Sequence, residues 1–200
     1  MSALLAFIRL GFHHIVDLSA VDHILFLLAL AAIYRGRDWR DSLWVVSAFT
    51  IGHSITLALA VTGALRLPTA IIEFLIPLTI VATGMENILV RSRGRGLVPG
   101  ARPLLAGLFG LVHGAGFANY LRSLFLGSIA VPLFGFNLGI ELGQILVLAG
   151  AGVLLAGVDL LLRAARGPAA GASAHRLRVV AVSLVVVMVA AKMAASRSPW

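Results

Sequence analysis

The sequence contains no cysteine, and only 12% of its residues are charged. Without cysteine the chain can form no disulfide, no thiolate metal site and no cysteine nucleophile. Its four methionines are scattered, which argues against a thioether site for monovalent copper. No nucleotide-binding motif is present, so the chain itself cannot hydrolyse ATP to pump an ion. No signal peptide is evident, because residues 1–12 are short, contain Arg9 and lack a small-residue cleavage site.

Apolar residues make up most of the chain. They account for 60% of its 200 residues, and the mean hydropathy is +1.02. These values exclude an ordinary soluble domain and indicate a polytopic membrane protein, which by its length is a single integral membrane domain over residues 1–200. The net charge of +8 is then better explained by arginines in cytoplasmic loops than by nucleic acid. We therefore expect the lipid bilayer as a partner and no nucleic acid.

Six apolar segments are each near the length that a helix needs to cross about 30 Å of hydrocarbon at about 1.5 Å per residue. They lie at about residues 20–34, 42–63, 69–90, 104–126, 131–162 and 177–195. Residues 1–16 are apolar but too short to span, which predicts an interfacial or re-entrant segment that turns into the first span. The sequence thus predicts an all-α fold, a polytopic membrane helix bundle of about six transmembrane helices plus a short N-terminal interfacial helix.

Basic residues are distributed unequally between the two sides of this predicted bundle. The loops after spans one, three and five contain eleven arginines, whereas the opposite side contains only five basic residues. Because basic residues accumulate in cytoplasmic loops, both termini should lie on the outer side. We expect a multi-pass protein of a bacterial inner membrane with both termini on the periplasmic side.

Nine histidine and carboxylate side chains lie in or beside the apolar segments. They are His13, His14, Asp22, His23, His53, Glu73, Glu86, His113 and Glu141. An ionisable group inside a bilayer costs about 2.5–3.5 kcal/mol on insertion scales, so each needs a partner, a wet cavity or a bound ion. Imidazole and carboxylate are also ligands for divalent cations.

Several of these residues also have a structural explanation. One polar stripe lies on the fifth span and consists of Asn137, Glu141 and Gln144. The stripe must face the bundle interior, and its structural explanation is that it forms hydrogen bonds between helices and has no other role. For His53, which lies among hydroxyl side chains, a structural role and a ligand role are equally open. Glu86 is better explained as a partner of the loop arginines.

Small residues indicate where helices approach each other closely. Gly135, Gly139 and Gly143 recur every four residues in the fifth span, and Gly110 and Gly114 do so in the fourth. In lipid, such ridges let backbones meet. We expect these two spans to pack closely against each other or against their neighbours.

The candidate ligands separate by their predicted depth. An outer group comprises His13, His14, Asp17, Asp22 and His23, and a membrane-centre group comprises His53, Glu73, His113 and Glu141. An ion arriving from outside would meet the two groups in series, which is typical of a pathway rather than a closed structural site. Imidazole ligands favour nickel or cobalt over magnesium or calcium, with zinc and copper(II) open as alternatives. We expect this ion as substrate or bound ligand, and no prosthetic group.

Five strings follow one another over about residues 11–150. They are HIVDLSAVDHILFLLAL, AFTIGHSITLALA, IEFLIPLTI, FGLVHGAGFA and FGFNLGIELGQ. In this order they resemble the successive signatures of the HupE/UreJ family of hydrogenase and urease accessory membrane proteins. Members of that family are regarded as nickel or cobalt permeases, so the resemblance implies a transport function. The last span matches nothing distinctive.

The resemblance also implies a set of metal-binding residues. The family's motif positions fall on His14, Asp22, His23, His53, Glu73, His113 and Glu141. Seven residues separate His14 from Asp22, more than separate the corresponding family residues, so His13, His14 and Asp17 all stay candidates for the outermost ligand. The supporting polar residues are His13, Asp17, Asn137 and Gln144.

Three functions remain open at this point. The first is passive or proton-linked uptake of a divalent transition metal ion, most simply nickel or cobalt, by a protein that is not an enzyme. The second is an intramembrane zinc-dependent hydrolase, in which three histidines and an acid hold zinc and a second acid is the base. The third is a metal-binding sensor or assembly factor without transport. A homo-oligomer is left open for each.

Overall fold

The structure is a computed structural model that describes residues 2–34, 38–90, 100–124, 129–166 and 171–200. Within these ranges the chain forms seven α-helices and no strand. The helices are α1 (Ala3–Val16), α2 (Val21–Ile33), α3 (Trp39–Val61), α4 (Thr69–Leu89), α5 (Ala101–Leu124), α6 (Ala130–Arg166) and α7 (Gly171–Ser196). The predicted all-α membrane helix bundle is confirmed.

Four of the described helices, α3, α4, α6 and α7, are long and apolar enough to cross a membrane on their own. The pair α1 and α2, which is bent by 71° at a short break, passes the same test together and makes a fifth candidate. Helix α5 occupies most of the predicted fourth span but is not among these candidates. The prediction of six spans therefore stays a prediction.

The break between α1 and α2 is a turn that the sequence encodes. Helix α1 ends at Val16, and the carboxylate of Asp17 accepts a 2.8 Å hydrogen bond from the backbone N–H of Ser19. An aspartate that bonds the backbone two residues ahead stabilises a turn instead of another helical turn. The chain then re-enters a helix at Val21 in a new direction.

Glycines determine how α1 packs on α6. Gly139 lies against the backbone of Ile8. Gly135 contacts residues of α1 that precede Ile8, and Gly143 contacts residues that follow it. Gly11 of α1 lies equally close to the α6 backbone, and a side chain there would overlap it. The two helices therefore run parallel. Although α1 is short, it packs along α6 as part of the bundle.

A second glycine contact joins α3 and α5. Gly110 lies against the carbonyl group of Phe49, and Gly114 lies against the backbone of His53. Gly52 of α3 approaches the backbone of α5 in return. The predicted glycine ridges thus pack on two different neighbours, α3 and α1, and not on each other.

Helix α2 is the central element of the bundle. It is apolar around its whole circumference, and nearly every residue from His23 to its end is buried against α4, α6 and α7. A helix that is hydrophobic on all sides has to be surrounded by other elements or by lipid. Helices α4 and α7 pair antiparallel beside it, with Gly84 against Ser183 and Phe74 against Trp200.

Each end of the bundle is marked by a buried or partly buried arginine. The Arg197 end is where α2 and α4 begin and α7 ends, and it is marked by the contact of Arg197 with Asp22. The Arg178 end is where α2 ends and α7 begins, and it is marked by the hydrogen bond from Arg178 to the carbonyl oxygen of Ala32.

Candidate metal-binding site

Four histidines from four helices converge toward the Arg197 end. His14 is near the end of α1, His23 near the start of α2, and His53 and His113 are within α3 and α5. The ring centroids of His14 and His23 are 4.6 Å apart. Those of His23 and His113 are 5.8 Å apart, and those of His14 and His53 are 6.4 Å apart. These four residues are called the histidine cluster.

Local structure explains why the rings meet. The turn at Asp17 bends the chain between α1 and α2, and His14 lies against His23 across this bend. The glycine contact of Gly114 with His53 holds α5 against α3, and His113 is the neighbour of Gly114 in the chain. Each histidine is therefore positioned by a backbone feature that its own neighbouring residues create.

Six ring nitrogens of the cluster are buried and have no hydrogen-bond partner within the described part of the chain. They are His14 Nε2, His23 Nδ1, His23 Nε2, His53 Nδ1, His53 Nε2 and His113 Nε2. Buried polar atoms in folded proteins are nearly always bonded, so a concentration of unbonded ones in one place calls for a functional explanation. Imidazole nitrogens with a free lone pair are the commonest metal ligands.

The bonding of His113 fixes which of its nitrogens can bind a metal ion. Its Nδ1 lies 2.9 Å from the carbonyl oxygen of Phe109. Because a carbonyl oxygen can only accept, Nδ1 must carry the hydrogen, and Nε2 then has the lone pair. A hydrogen bond from the second ring nitrogen to a carbonyl is how metal-binding histidines are commonly oriented. His113 is thus prepared to bind through Nε2.

A cavity of about 290 Å³ lies beside the cluster. Its lining includes His14, His23, His113, Asp22, Glu73 and Arg197, whereas the fully buried His53 does not reach it. Asp22 Oδ1 is 3.2 Å from His23 Nδ1 and also accepts the backbone N–H of His23 at 3.0 Å. One carboxylate therefore stands next to several imidazoles, an arrangement that attracts cations.

The cluster is an open arrangement. Among the described residues, no three histidine, aspartate or glutamate side chains lie close enough together to hold one metal ion. An ion at this position would be held by fewer of these side chains, or the rings would have to turn toward it. A transport site has to release its ion, so weak or successive binding is compatible with transport.

Aromatic rings surround the cluster. Phe117 and Phe136 stack with ring centroids 5.2 Å apart, and His14 lies 4.0 Å from Phe117. On the other side, Phe49 lies 5.0 Å from His113. These rings give the histidines apolar neighbours, and an interaction with a charge is stronger beside apolar groups than in water.

The polar stripe of α6 contacts α3, on the side of His53 that faces the Arg178 end. The hydroxyl of Ser47 donates to Glu141 at 2.6 Å, and the hydroxyl of Thr50 donates to Gln144 at 2.8 Å. Both bonds join the two helices, so the stripe faces the bundle interior. The third member, Asn137, has a buried Oδ1 atom without a partner in the described part of the chain.

The structure brings together residues of the predicted outer group and of the predicted membrane-centre group. His14, expected in the outer group, lies beside His53, whereas Glu73, expected at the centre, is exposed and lines the cavity near Arg197. The bend between α1 and α2, which position in the chain does not show, brings His14 to His53, and the depth of each residue in the membrane stays a prediction. Of the candidates for the outermost ligand, only His14 joins the cluster. His13 is exposed and contacts Phe12, and Asp17 bonds the turn.

Glu86 lies far from the cluster, close to the Arg178 end. Its Oε1 is 3.5 Å from Nε of Arg102, one of the arginines assigned to the third loop. Arg102 is the second residue of α5, so Glu86 pairs with an arginine next to the loop between α4 and α5. A pairing with Arg91 of that loop, which the sequence also suggests, lies outside the described residues.

A second buried group of charged side chains, which the sequence pattern did not reveal, lies at the Arg178 end. Arg178 Nη1 is 3.1 Å from Asp159 Oδ2, and His175 Nδ1 is 4.0 Å from the same oxygen. Asp159 lies inside the predicted fifth span, so the rule that selected Glu141 would also have selected it. Nearby, Arg176 donates to the carbonyl groups at the end of α4, including those of Ile88 and Val90.

Comparison with known proteins identifies the family of this chain. The family model described as HupE / UreJ protein matches residues 1–197, which is nearly the whole chain. The chain belongs to the HupE/UreJ family. Comparison with curated proteins and with solved structures gives no match.

Membership of the HupE/UreJ family defines the broad function. The family is associated with nickel or cobalt transport or with an accessory role, and it is a family of membrane proteins. The apolar helices of this chain agree with a location in the membrane. All the histidines of the cluster lie within the matched residues.

Proposed function

We propose that this HupE/UreJ protein takes up a divalent transition metal ion, nickel or cobalt, across the bacterial inner membrane by way of the histidine cluster. One observation carries the proposal: imidazoles from four helices converge beside the carboxylate of Asp22. Five of their buried ring nitrogens have no partner in the described part of the chain, and a sixth, His23 Nδ1, has only that carboxylate, at 3.2 Å. The protein handles the ion as substrate, is not an enzyme and needs no prosthetic group.

The ligand chemistry supports a transition metal. Imidazole nitrogen suits nickel, cobalt, zinc and copper(II), whereas magnesium and calcium prefer shells made only of oxygen. Asp22 and Glu73 add carboxylates to the lining of the cavity, which strengthens its attraction for cations. Nickel and cobalt are proposed over zinc because the family is associated with these two metals.

The distribution of basic residues supports the direction of transport. Loop arginines concentrate on the side of the Arg178 end, which we assign to the cytoplasm. The cavity at the Arg197 end then faces the periplasm. An arriving ion meets Asp22 and Glu73 at the cavity first, then the rings of His14, His23 and His113, and finally the fully buried His53.

Uptake into liposomes that contain the pure protein and an enclosed fluorescent chelator tests this function. We expect saturable influx of nickel or cobalt that is faster than into empty liposomes, with zinc and copper(II) measured in parallel. If none of the four ions enters faster than into empty liposomes while the protein is folded and monodisperse, uptake is not the function. Binding without flux would favour the sensor or assembly factor, and one tightly retained zinc ion with hydrolytic activity would favour the hydrolase.

A further inference from the structure

Arg197 places a positive charge at the cavity that an incoming cation would have to use. Its Nη1 atom is 3.8 Å from Asp22 Oδ2, and its side chain lines the cavity together with Glu73. The other carboxylate oxygen of Asp22 faces His23. The guanidinium thus takes the free side of the carboxylate that contacts His23.

The chain around Arg197 holds it at this position. Arg197 follows the last residue of α7, and its backbone N–H donates to the carbonyl oxygens of Met193 and Ala194. Three residues later the ring of Trp200 packs on Phe74, with ring centroids 5.8 Å apart. Phe74 directly follows Glu73 on α4. The segment from Arg197 to Trp200 therefore reaches the beginning of α4 beside the cavity.

The contact between Arg197 and Asp22 can be broken. At 3.8 Å it is longer than the 2.7–2.9 Å or so of a charge-assisted hydrogen bond, and about a third of the arginine side chain is exposed. A guanidinium stays protonated at any physiological pH, so it is a permanent single positive charge. An ion of charge two interacts with the same carboxylate about twice as strongly at equal distance, whereas a monovalent ion gains no advantage over the guanidinium.

We propose that Arg197 is a tethered competitor for Asp22 that sets the metal affinity of the cavity and excludes monovalent cations. This inference rests on the proposed uptake function. A divalent ion displaces the guanidinium from Asp22 and moves on to the imidazoles, and Arg197 returns to Asp22 once the ion has passed. Sodium or potassium cannot displace it, so the carboxylate stays neutralised in their presence.

Neutral replacements of Arg197 test the proposal. Arg197→Gln and Arg197→Met should each tighten nickel binding, measured by calorimetry, about fivefold, in keeping with the loss of a weak, partly exposed ion pair. The same variants should show a lower half-saturating nickel concentration for uptake, and potassium at constant ionic strength should now compete with nickel. Lys192→Gln is the matched control, because Lys192 is an exposed cation of α7 that does not line the cavity.

The outcomes separate this inference from the proposed function. Suppose that the wild-type protein takes up nickel, and that both neutral variants bind nickel as tightly as the wild type and are equally insensitive to potassium. Arg197 is then not a competitor, and the uptake function stands. If Lys192→Gln tightens binding as much as Arg197→Gln, the effect is one of net charge and the inference also fails. If the folded wild-type protein neither binds nor transports nickel, the proposed function itself fails.

Discussion

Replacement of His53 by phenylalanine should reduce nickel or cobalt uptake about 100-fold at low metal concentration. Removing a side chain that only orients a metal ligand already costs up to about 100-fold, so the loss of a ligand should cost at least as much. His53 is fully buried, both of its ring nitrogens lack a partner in the described part of the chain, and Phe49 and His14 lie beside it. Phenylalanine keeps a planar aromatic ring at this position but removes both nitrogens. The initial rate of uptake into liposomes measures the effect.

The neighbouring pair His13 and His14 supplies the control for this experiment. His14→Phe should impair uptake like His53→Phe, because both rings belong to the cluster. His13→Phe should leave uptake within about twofold of wild type, because the His13 side chain is exposed and does not belong to the cluster. Normal uptake by folded His53→Phe and His14→Phe proteins would show that the ion does not pass the cluster. Impaired uptake by His13→Phe alone would assign the outermost ligand to His13.

Replacement of Arg178 by methionine should lower the free energy of unfolding by about 3–5 kcal/mol, the cost of leaving a buried charge without its partner. The arginine is 5% exposed, and its contact at 3.1 Å is with Asp159, which is also buried. Methionine has a similar length and no charge. The unfolding transition of the detergent-solubilised protein gives the change.

A second substitution distinguishes loss of the ion pair from loss of packing. Asp159→Asn combined with Arg178→Met removes both charges and should recover most of the lost stability, because no uncompensated carboxylate remains. Arg40→Met, at an exposed arginine of α3 that contacts Trp39, is the control and should change stability little. Wild-type stability of the single Arg178→Met variant would contradict the account of this pair.

The class of fold could be predicted because it follows from local properties of the chain. Apolar runs of helix length appear directly in the sequence, and in lipid a helix satisfies its own backbone groups. The pairing of the helices could not be predicted in the same way. Gly110 and Gly139 each indicate a close backbone contact, but neither identifies the partner helix, which is α3 for the first and α1 for the second.

The members of the site were easier to predict than their arrangement. His23, His53 and His113 are ionisable residues in apolar segments, so the cost of burying them identifies them as candidates. Their grouping with His14 depends on the 71° bend between α1 and α2, which is a property of tertiary structure. Arg197 could be recognised only as an outer basic residue, since its contact with Asp22 joins opposite ends of the chain.

X-ray absorption at the nickel edge of the nickel-loaded protein tests most directly whether the histidine cluster binds the transported ion. The account predicts a shell of nitrogen and oxygen ligands with scattering from more than one imidazole ring, and fewer imidazoles in the His53→Phe variant. A shell without imidazole scattering, or one that is the same in wild type, His53→Phe and His14→Phe, would contradict it.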